Sequence, residues 1–574
     1  MRDNGFNPPR DPVLDPLQTI EERDAILAWR DAAGKPIPKY APAAACAGKA
    51  DWPEADFIIG NPPFLGSKLF RKHGLPDDYI ASMYASFDLP NTSDLCCYWF
   101  ELARRAVERG EGVRAGLLAT QGIRGGDNRA VLKRIKDTGD IFMAWSDREW
   151  ILDGAAVQVS IVGFDDGSEE ERTLDATPVS DINADLSAGA NLTQAKRLSE
   201  NAGIAYMADT KGGSFDIDLT TACTLLGAPN PKDVPNTDAV VPWVNGLDIT
   251  RRRRGMFIID FGVDMPESSA AQHEAPFEYV RTHVKPARDG NKRAAYRENW
   301  WIHVEPRPAM REAARGLARL IVTPLLTKHR IFACVSPPTL PDHQLIVFTR
   351  SDDYFFGVLH SCVHELWARR MGTQLREAES GFRYTPTTCF ETFPLPWVPG
   401  AEPTEGDALR PLHDAIGQAA ADLNAQRERW LNPPEWIEPI AEAVDRLEDF
   451  SAVPEEARPL LRESAIMARA AKDPRLKKRT LTNLYNERPT WLRLAHRRLD
   501  EAVLAAYAAV DPEGGWDVAW AAVYEPFGAG RITIGKKDSA ETRAAKDAAA
   551  EARKPVDEAI LAALLRLNLE RAGG

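Results

Sequence analysis

Residues 55–64 read ADFIIGNPPF, an apolar run that leads directly into Asn61, Pro62, Pro63 and Phe64. Further strand-like runs (RAGLLATQGI, DIFMAWS, AAVQVSIVGF) follow, with the helix-like runs DLCCYWFELARRAVERG and RAVLKRIKDTG among them. Strands separated by helices predict an α/β domain whose sheet carries helices on its faces. Sheets of this kind bind ligands beyond the carboxyl ends of their strands, so the residues after Gly60 are the first candidates for a functional site.

The Asn61–Phe64 tetrapeptide suits chemistry on a planar amine. The exocyclic amine of adenine is a poor nucleophile because its lone pair is conjugated with the ring. The Asn61 side-chain carbonyl and the backbone carbonyl of Pro62 can each accept one of its two protons, while consecutive prolines fix the backbone. Phe64 offers a face on which a base rotated out of a duplex can stack, a contribution of about 1–3 kcal/mol. A bare tetrapeptide of this type is also an ordinary strand-ending turn, but the strand before it and the α/β units after it favour a catalytic site.

Composition places the chain among globular multidomain proteins. It has 574 residues, 44% of them hydrophobic and 27% charged, which is too many for one hydrophobic core. No apolar run approaches the length of a membrane helix, and the first residues lack a signal-peptide core, so we expect a cytoplasmic protein without a membrane partner. The seven cysteines lack paired spacing and predict reduced thiols.

Three regions follow from the patterns. Residues 1–180 carry the α/β pattern, and residues 181–400 mix short strand-like runs with helices and turn prolines, which predicts an α+β domain. Residues 401–574 have apolar residues at helical spacing and predict a mostly helical C-terminal region.

Positive charge is concentrated although the net charge is −13. Between residues 281 and 334 there are twelve Lys or Arg and four acidic residues, and the part from Arg307 to Arg319 is a basic, helix-like stretch. A four-arginine run follows a predicted turn at Asn245 and Gly246. Such segments can contact backbone phosphates. The candidate DNA-binding residues are Arg251, Arg252, Arg253, Arg254, Arg311, Arg315 and Arg319.

His360 and His364 are four residues apart on a stretch that predicts one helix, a spacing that can bind zinc. Their apolar surroundings and the lack of an evident third ligand favour a packed helix, so we predict no metal site.

The chain resembles the N6-adenine DNA methyltransferases of restriction-modification and phage-defence systems, in which the catalytic motif precedes a C-terminal target-recognition domain. The resemblance rests on DFIIGNPPFLG, on DLCCYWFELARRA followed by RAGLLATQGIRGG, and on AWSDREWILDGAAVQVSIVGF. It implies a Rossmann-like class I methyltransferase sheet, S-adenosylmethionine as donor and methylated adenine in double-stranded DNA as product. It also implies that Asp24, Asn61, Trp99 and Phe100 bind the cofactor.

The sequence departs from this family upstream of Asn61. Family members carry a Gly-rich cofactor loop after a first strand, and the 60 residues before Asn61 contain no such pattern. We therefore expect a partial sheet, with the cofactor half supplied by a missing N-terminal part of a longer polypeptide, by a protein partner or by further defence-system subunits. Two alternatives stay open: a non-catalytic DNA-recognition subunit, and methylation of RNA or of a protein glutamine.

Overall fold

The computed structural model describes residues 20–573 except 153–154, 375–380, 519, 525–526, 529, 531 and 533–537. The chain divides into two compact units, Met1–Ala188 (unit 1) and Gly189–Gly574 (unit 2). The boundary between the two units, at residues 188/189, lies close to residue 180, where the predicted α/β region ends. The mixed α/β class expected from the sequence is confirmed by the strands and helices below.

Unit 1 contains nine strands and three α-helices among its described residues. In chain order these are β1 (Leu27–Arg30), β2 (Pro36–Ile37), β3 (Ala45–Lys49), β4 (Ala55–Gly60), α1 (Asp77–Ser86), α2 (Cys96–Glu108), β5 (Gly112–Thr120), α3 (Arg129–Thr138), β6 (Asp140–Leu152), β7 (Ala155–Asp165), β8 (Arg172–Leu174) and β9 (Thr177–Val179). The predicted strands and helices of this region are confirmed.

The main sheet of unit 1 has the strand order β4-β5-β7-β6-β8-β9. β4 and β5 are parallel, whereas β7 runs antiparallel to both β5 and β6. β4 is the end strand and pairs only with β5 within the described part of the chain. The sheet therefore presents one edge of the strand that leads into Asn61.

One face of this sheet is covered by α2 and α3. Their apolar residues recur at helical spacing, and Phe100 and Ile135 pack with Leu117 of β5 in one core. A buried ion pair joins the two helices, because Glu101 accepts hydrogen bonds from Arg104 at 2.9 Å and from Arg134 at 3.0 Å. Burial would raise the pKa of Glu101, but these two guanidinium groups lower it.

The other face is open beside β4. Phe57 is 65% exposed and Ile59 is 84% exposed. They pair in register with Arg114 and Gly116 of β5, and no atom lies within 4 Å of the position that a Cβ on Gly116 would take. An apolar strip next to an unpaired strand edge is thus accessible on unit 1.

Unit 2 begins with a region of short strands and helices: β10 (Ala205–Met207), β11 (Asp216–Ile217), α4 (Leu219–Leu226), β12 (Val240–Val244), α5 (Gly246–Thr250), β13 (Met256–Ile259), α6 (Glu267–Ala270), α7 (Glu274–His283), α8 (Lys285–Asp289), α9 (Ala294–Glu298), α10 (Pro308–Ala313), β14 (Leu320–Pro324), β15 (Leu326–Thr327), β16 (Ala333–Val335), β17 (Leu340–Pro341), β18 (Leu345–Phe348), α11 (Asp353–His360), α12 (Cys362–Met371), β19 (Thr373–Gln374) and β20 (Phe382–Arg383). Two four-stranded sheets, β10-β18-β14-β16 and β11-β13-β12-β17, and the three-stranded β15-β20-β19 organise it.

The rest of unit 2 is helical, as predicted: α13 (Arg410–Leu431), α14 (Pro434–Leu447), α15 (Arg458–Lys472), α16 (Leu481–Glu487), α17 (Thr490–Val510), α18 (Trp520–Tyr524) and α19 (Ala540–Gly573). Its helices share a core with the preceding region, in which Phe355 and Trp367 pack with Leu423, Leu499 and Leu564. The division at residues 400/401 stays a prediction drawn from sequence patterns.

Three local predictions are corrected. The stretch around His360 and His364 forms two helices, because Ser361 is extended and its side chain caps α12. The basic stretch 307–319 is helical only over Pro308–Ala313. Asn245 does not form a simple turn; it begins α5 with a capping box.

Among the described residues, no helix combines the length and the apolar character needed to span a bilayer.

Candidate active site and nucleic-acid interface

The loop after β4 carries the predicted catalytic residues. Asn61 and Pro63 are exposed, Pro62 is buried and Phe64 is half-buried. Gly60 ends the strand where a Cβ would lie 3.1 Å from the Leu117 side chain, so a larger residue would crowd this turn. The local chain therefore projects the Asn61 side chain outward and anchors the loop through Pro62.

The Asn61 side chain and the Pro62 carbonyl make no hydrogen bond within the described ranges. Both oxygens are acceptors, and the proline restricts the direction of its own carbonyl. The loop thus contains two acceptor oxygens that no donor of the described residues occupies.

A polar brace fixes this loop, and sequence reasoning missed it. The backbone N–H of Leu95 donates to the carbonyl of Leu65 at 2.8 Å, which ties the loop to the start of α2. Asp94 and Asn128 then exchange two hydrogen bonds, at 2.7 and 2.9 Å, which join this point to the start of α3. Asp94 and Asn128 are 34 positions apart, which explains why sequence spacing alone gave no signal.

Asp24 lies just before β1, half-buried, and its carboxylate organises the surrounding chain. Oδ1 accepts from the backbone N–H groups of Ile26 and Leu27 at 3.0 and 3.1 Å and from the Tyr79 hydroxyl at 3.2 Å. Among the residues that the structure describes, the one donor to Oδ2 is the indole of Trp29, at 2.8 Å. Because a carboxylate provides about four acceptor positions, Oδ2 can take one further donor.

The two aromatic residues predicted to bind cofactor occupy different environments. Trp99 is half-buried at the margin of the unit 1 core. Phe100 is fully buried and stacks on Phe164 with ring centroids 6.2 Å apart. Its ring therefore fills the core, and only Trp99 keeps an accessible surface.

Three residues of the arginine run are held by protein groups. Arg252 donates to the carbonyl of Leu431 and to Asn432, both at 2.8 Å, and burial lowers its pKa. Arg253 reaches the carbonyl of Cys334 at 3.3 Å, and Arg254 forms an ion pair with Asp248 at 2.7 Å. Arg251 is exposed and has no ion pair among the residues that the structure describes.

Of the other three arginines predicted to contact DNA, two are held by protein groups and one is exposed. Arg311 lies 2.6 Å from both Asp209 and Asp260 and is largely enclosed. Arg319 pairs with Asp353 at 2.5 Å and with the carbonyl of Ser351 at 2.8 Å. The side chain of Arg315 is 77% exposed and pairs with the equally accessible Glu312 on the same surface. Arg251, Arg254 and Arg315 are thus the exposed members of the predicted set, and Arg251 is the one among them without an ion pair in the described structure.

His360 and His364 each contact a tyrosine. His360 Nε2 lies 2.8 Å from the Tyr485 hydroxyl, and His364 Nε2 lies 3.1 Å from that of Tyr384. Burial lowers the pKa of both imidazoles. No cluster of three or more His, Cys, Asp or Glu suited to a metal ion occurs in the searched, described part of the chain.

Unit 1 thus combines a mixed sheet with an Asn-Pro-Pro-Phe loop at the carboxyl end of a strand that pairs in parallel with β5. Residues 19–175 match the family model described as "MmeI, DNA-methyltransferase domain". The matched segment is similar to a DNA-methyltransferase domain from a restriction-modification enzyme. No curated protein matches the chain significantly.

Two solved structures also match the chain, over a longer range than the family model. One is the Type IIL restriction-modification enzyme MmeI, solved in complex with DNA, at 16% identity and a TM-score of 0.58 over 90% of this chain and 57% of that one. Another is the type IIG restriction endonuclease BpuSI, at 10% identity and a TM-score of 0.21 over 80% of this chain and 55% of that one. The chain therefore spans little more than half the length of either structure.

Proposed function

We propose that the chain is a site-specific DNA methyltransferase of a restriction-modification or phage-defence system that methylates N6 of adenine. One observation carries the proposal: an exposed Asn61 beside the Pro62 carbonyl, at the carboxyl end of β4, inside a segment that matches a DNA-methyltransferase domain. The loop geometry supports an amine substrate because it presents two acceptors and no acid or base.

In this mechanism the target adenine leaves the duplex. Phe64 stacks on the base, and the oxygens of Asn61 and Pro62 accept the two amine protons, which localises the lone pair on N6. The neutral amine would then take the methyl group from a bound sulfonium donor, which would leave as a neutral thioether when its bond to the methyl carbon breaks. The methylated nitrogen would then release one proton to solvent. The brace between Asp94 and Asn128 holds the loop in position during the reaction.

S-adenosylmethionine supplies an electrophilic methyl group when bound. The residues present fit its adenine: the free acceptor position on Asp24 Oδ2 suits an amine donor, and the half-buried Trp99 offers an aromatic surface. Asn61 would lie at the junction of cofactor and substrate. Phe100 supports this surface from the core through its stacking on Phe164.

We further propose that a Gly-rich cofactor loop is supplied by a polypeptide segment that pairs with β4. The unpaired edge of β4 and the exposed Phe57 and Ile59 support this, because such a strand in a parallel sheet is normally paired and covered. A protein partner or another subunit of the defence system is the expected source. In the proposed assembly, unit 2 recognises double-stranded DNA, with Arg251 and Arg315 as phosphate contacts.

A non-catalytic DNA-recognition subunit is the second candidate, and the open face beside Phe57 and Ile59 favours it. The two are separated by incubating the chain with methyl-labelled cofactor and duplex DNA, alone and with the product of the reading frame immediately upstream. Incorporation of label that disappears in Asn61→Ala supports the enzyme. DNA binding without incorporation under either condition would establish the recognition subunit.

A further inference from the structure

The short helix α16 gathers three segments that are far apart in sequence. Thr482 donates to the carbonyl of Thr250 at 3.1 Å, next to Arg251. One turn further along, Asn486 accepts from Lys328 Nζ at 2.8 Å. Thr482 and Asn486 are four residues apart, so the two segments meet the same face of the helix within about 6 Å along its axis.

The third segment is the basic loop before α16, residues 473–479, which carries four basic residues and a single acidic one, Asp473. It joins the same helix because Asn483 donates to the carbonyl of Lys478 at 2.7 Å. Asp473 is already neutralised by Arg475 at 2.8 Å. The loop therefore adds a net positive charge where the other two segments meet.

The basic loop is held in one conformation. Leu476 is fully buried, and Arg479 lies between two indoles, 5.1 Å from the Trp430 ring and 4.6 Å from the Trp436 ring. Arg479 also donates to the carbonyl of Trp430 at 2.6 Å. These contacts leave Lys477 and Lys478 pointing away from the core on a fixed backbone.

Four cations are thus exposed around α16, namely Arg251, Lys328, Lys477 and Lys478. None of them forms an ion pair within the described residues. In sequence, the acidic residues nearest to Arg251 and to the two loop lysines are Asp248 and Asp473, and each already pairs with another arginine, Arg254 and Arg475 respectively. The helix itself is anchored to the core through the Tyr485 hydroxyl, which lies 2.8 Å from His360 and 2.9 Å from His496.

We propose that this surface, formed by Arg251, Lys328, Lys477 and Lys478, binds the phosphate backbone of duplex DNA. The inference rests on the proposed function, since it takes DNA as the partner of unit 2. It assigns to the C-terminal helical region a direct part in DNA binding, through two lysines on a rigid loop. Unpaired cations on a fixed surface suit a polyanion because binding releases condensed counterions and needs little further ordering.

The test measures binding of the full chain to a fluorescein-labelled DNA duplex by anisotropy across a series of NaCl concentrations. The triple variant Arg251→Ala/Lys477→Ala/Lys478→Ala removes three contacts without disturbing packing. We expect its affinity to fall at least about 10-fold at low salt, and the slope of log K against log[NaCl] to become shallower by about 3. Lys554→Ala is the matched control, because Lys554 is exposed on α19 and pairs with Glu551; it should match wild type.

Two failures are distinguishable. Equal affinity and equal slope for wild type and the triple variant would overturn this inference alone and leave the surface to another acidic partner. Absence of any duplex binding by the wild-type chain would overturn the DNA-directed function and this inference with it. Methyl transfer is not part of the readout, so an inactive chain still gives a decisive result.

Discussion

His303 Nδ1 lies 2.8 Å from Asp209 Oδ1 in the interior of unit 2, and its Nε2 lies 3.0 Å from the carbonyl of Ile259. Both ring nitrogens face acceptors, so the imidazole must carry both protons to donate twice. Burial lowers the pKa of His303, and the charge of Arg311 lowers it further. The hydrogen bond to Asp209 and the negative charges of Asp209 and Asp260 raise the pKa by more, so that the net shift is upward. A buried imidazolium therefore joins β13 to the segment after β10.

This pair predicts a pH dependence of stability. Because the folded pKa of His303 is above its unfolded value of about 6.5, its contribution is complete below that value and is lost as pH rises through the folded pKa. Relative to wild type, His303→Gln should destabilise unit 2 by about 2 kcal/mol near pH 6 and by clearly less near pH 9. Thermal denaturation at several pH values measures the difference. His283→Gln is the control, because His283 is exposed. If the difference in stability between wild type and His303→Gln grew with pH, His303 would not have a raised pKa in the folded protein.

Asn61→Ala should lower the rate of methyl transfer by at least about 100-fold, because one of the two acceptors for the amine protons is lost. Melting temperature and DNA affinity should not change, since Asn61 is exposed and makes no hydrogen bond in the described structure. Initial rates with labelled cofactor measure the effect. Asn91→Ala, another exposed asparagine of unit 1, should retain full activity. Near-normal turnover by Asn61→Ala would contradict the proposed catalytic role.

Asp24→Asn should weaken cofactor binding and also destabilise unit 1 by about 1–2 kcal/mol, because the amide can no longer accept from Trp29 at the second position. Tyr79→Phe separates the two effects. It removes only the 3.2 Å hydrogen bond to Oδ1 and leaves Oδ2 unchanged. Calorimetric titration with S-adenosylmethionine, with the upstream product present, should show near-normal affinity for Tyr79→Phe and a marked loss for Asp24→Asn. Equal losses would show that Asp24 acts only on local structure.

Phe57→Ser combined with Ile59→Ser should leave the stability of the isolated chain almost unchanged, because both side chains are mostly exposed. Association with the upstream product should weaken by about 100-fold or more, since each side chain contributes about 1.5–3 kcal/mol when buried. Light scattering of the mixed proteins tests this. Val113→Ser is the control, because Val113 is also exposed, by 55%. Arg114 lies opposite Phe57 in the register, and Val113 is the next residue along β5, so its side chain points to the opposite face of the sheet. Unchanged association of the double variant would exclude this face as the contact.

The main elements of unit 1 could be predicted because their signals are local. Apolar runs mark β4, β5, β6 and β7, and helical spacing marks α2 and α3. The exposure of Phe57 and Ile59 could not be predicted, because a continuous apolar run is typical of a strand buried on both faces. Burial depends on what covers the strand, which its own sequence does not encode.

The arginine run shows the same limit at the candidate interface. Four consecutive arginines indicate a positive surface. Arg252, however, donates hydrogen bonds to the Leu431 carbonyl and the Asn432 side chain, about 180 positions later in the chain. The basic loop at Lys477 and Lys478 was overlooked for the complementary reason, since it meets Arg251 only through the packing of α16. Likewise, the break between His360 and His364 depends on the single capping hydroxyl of Ser361 inside an otherwise helical pattern.

Nucleoside mass spectrometry of duplex DNA measures whether the Asn61–Phe64 loop directs methylation of adenine N6. The chain is incubated with S-adenosylmethionine and DNA, alone and with the upstream product, and the DNA is then digested to nucleosides. We predict N6-methyladenine that depends on Asn61 and is absent from the Asn61→Ala reaction. Methylation of cytosine instead, or no methylated base under either condition, would show that the Asn61–Phe64 loop does not direct methylation of adenine N6.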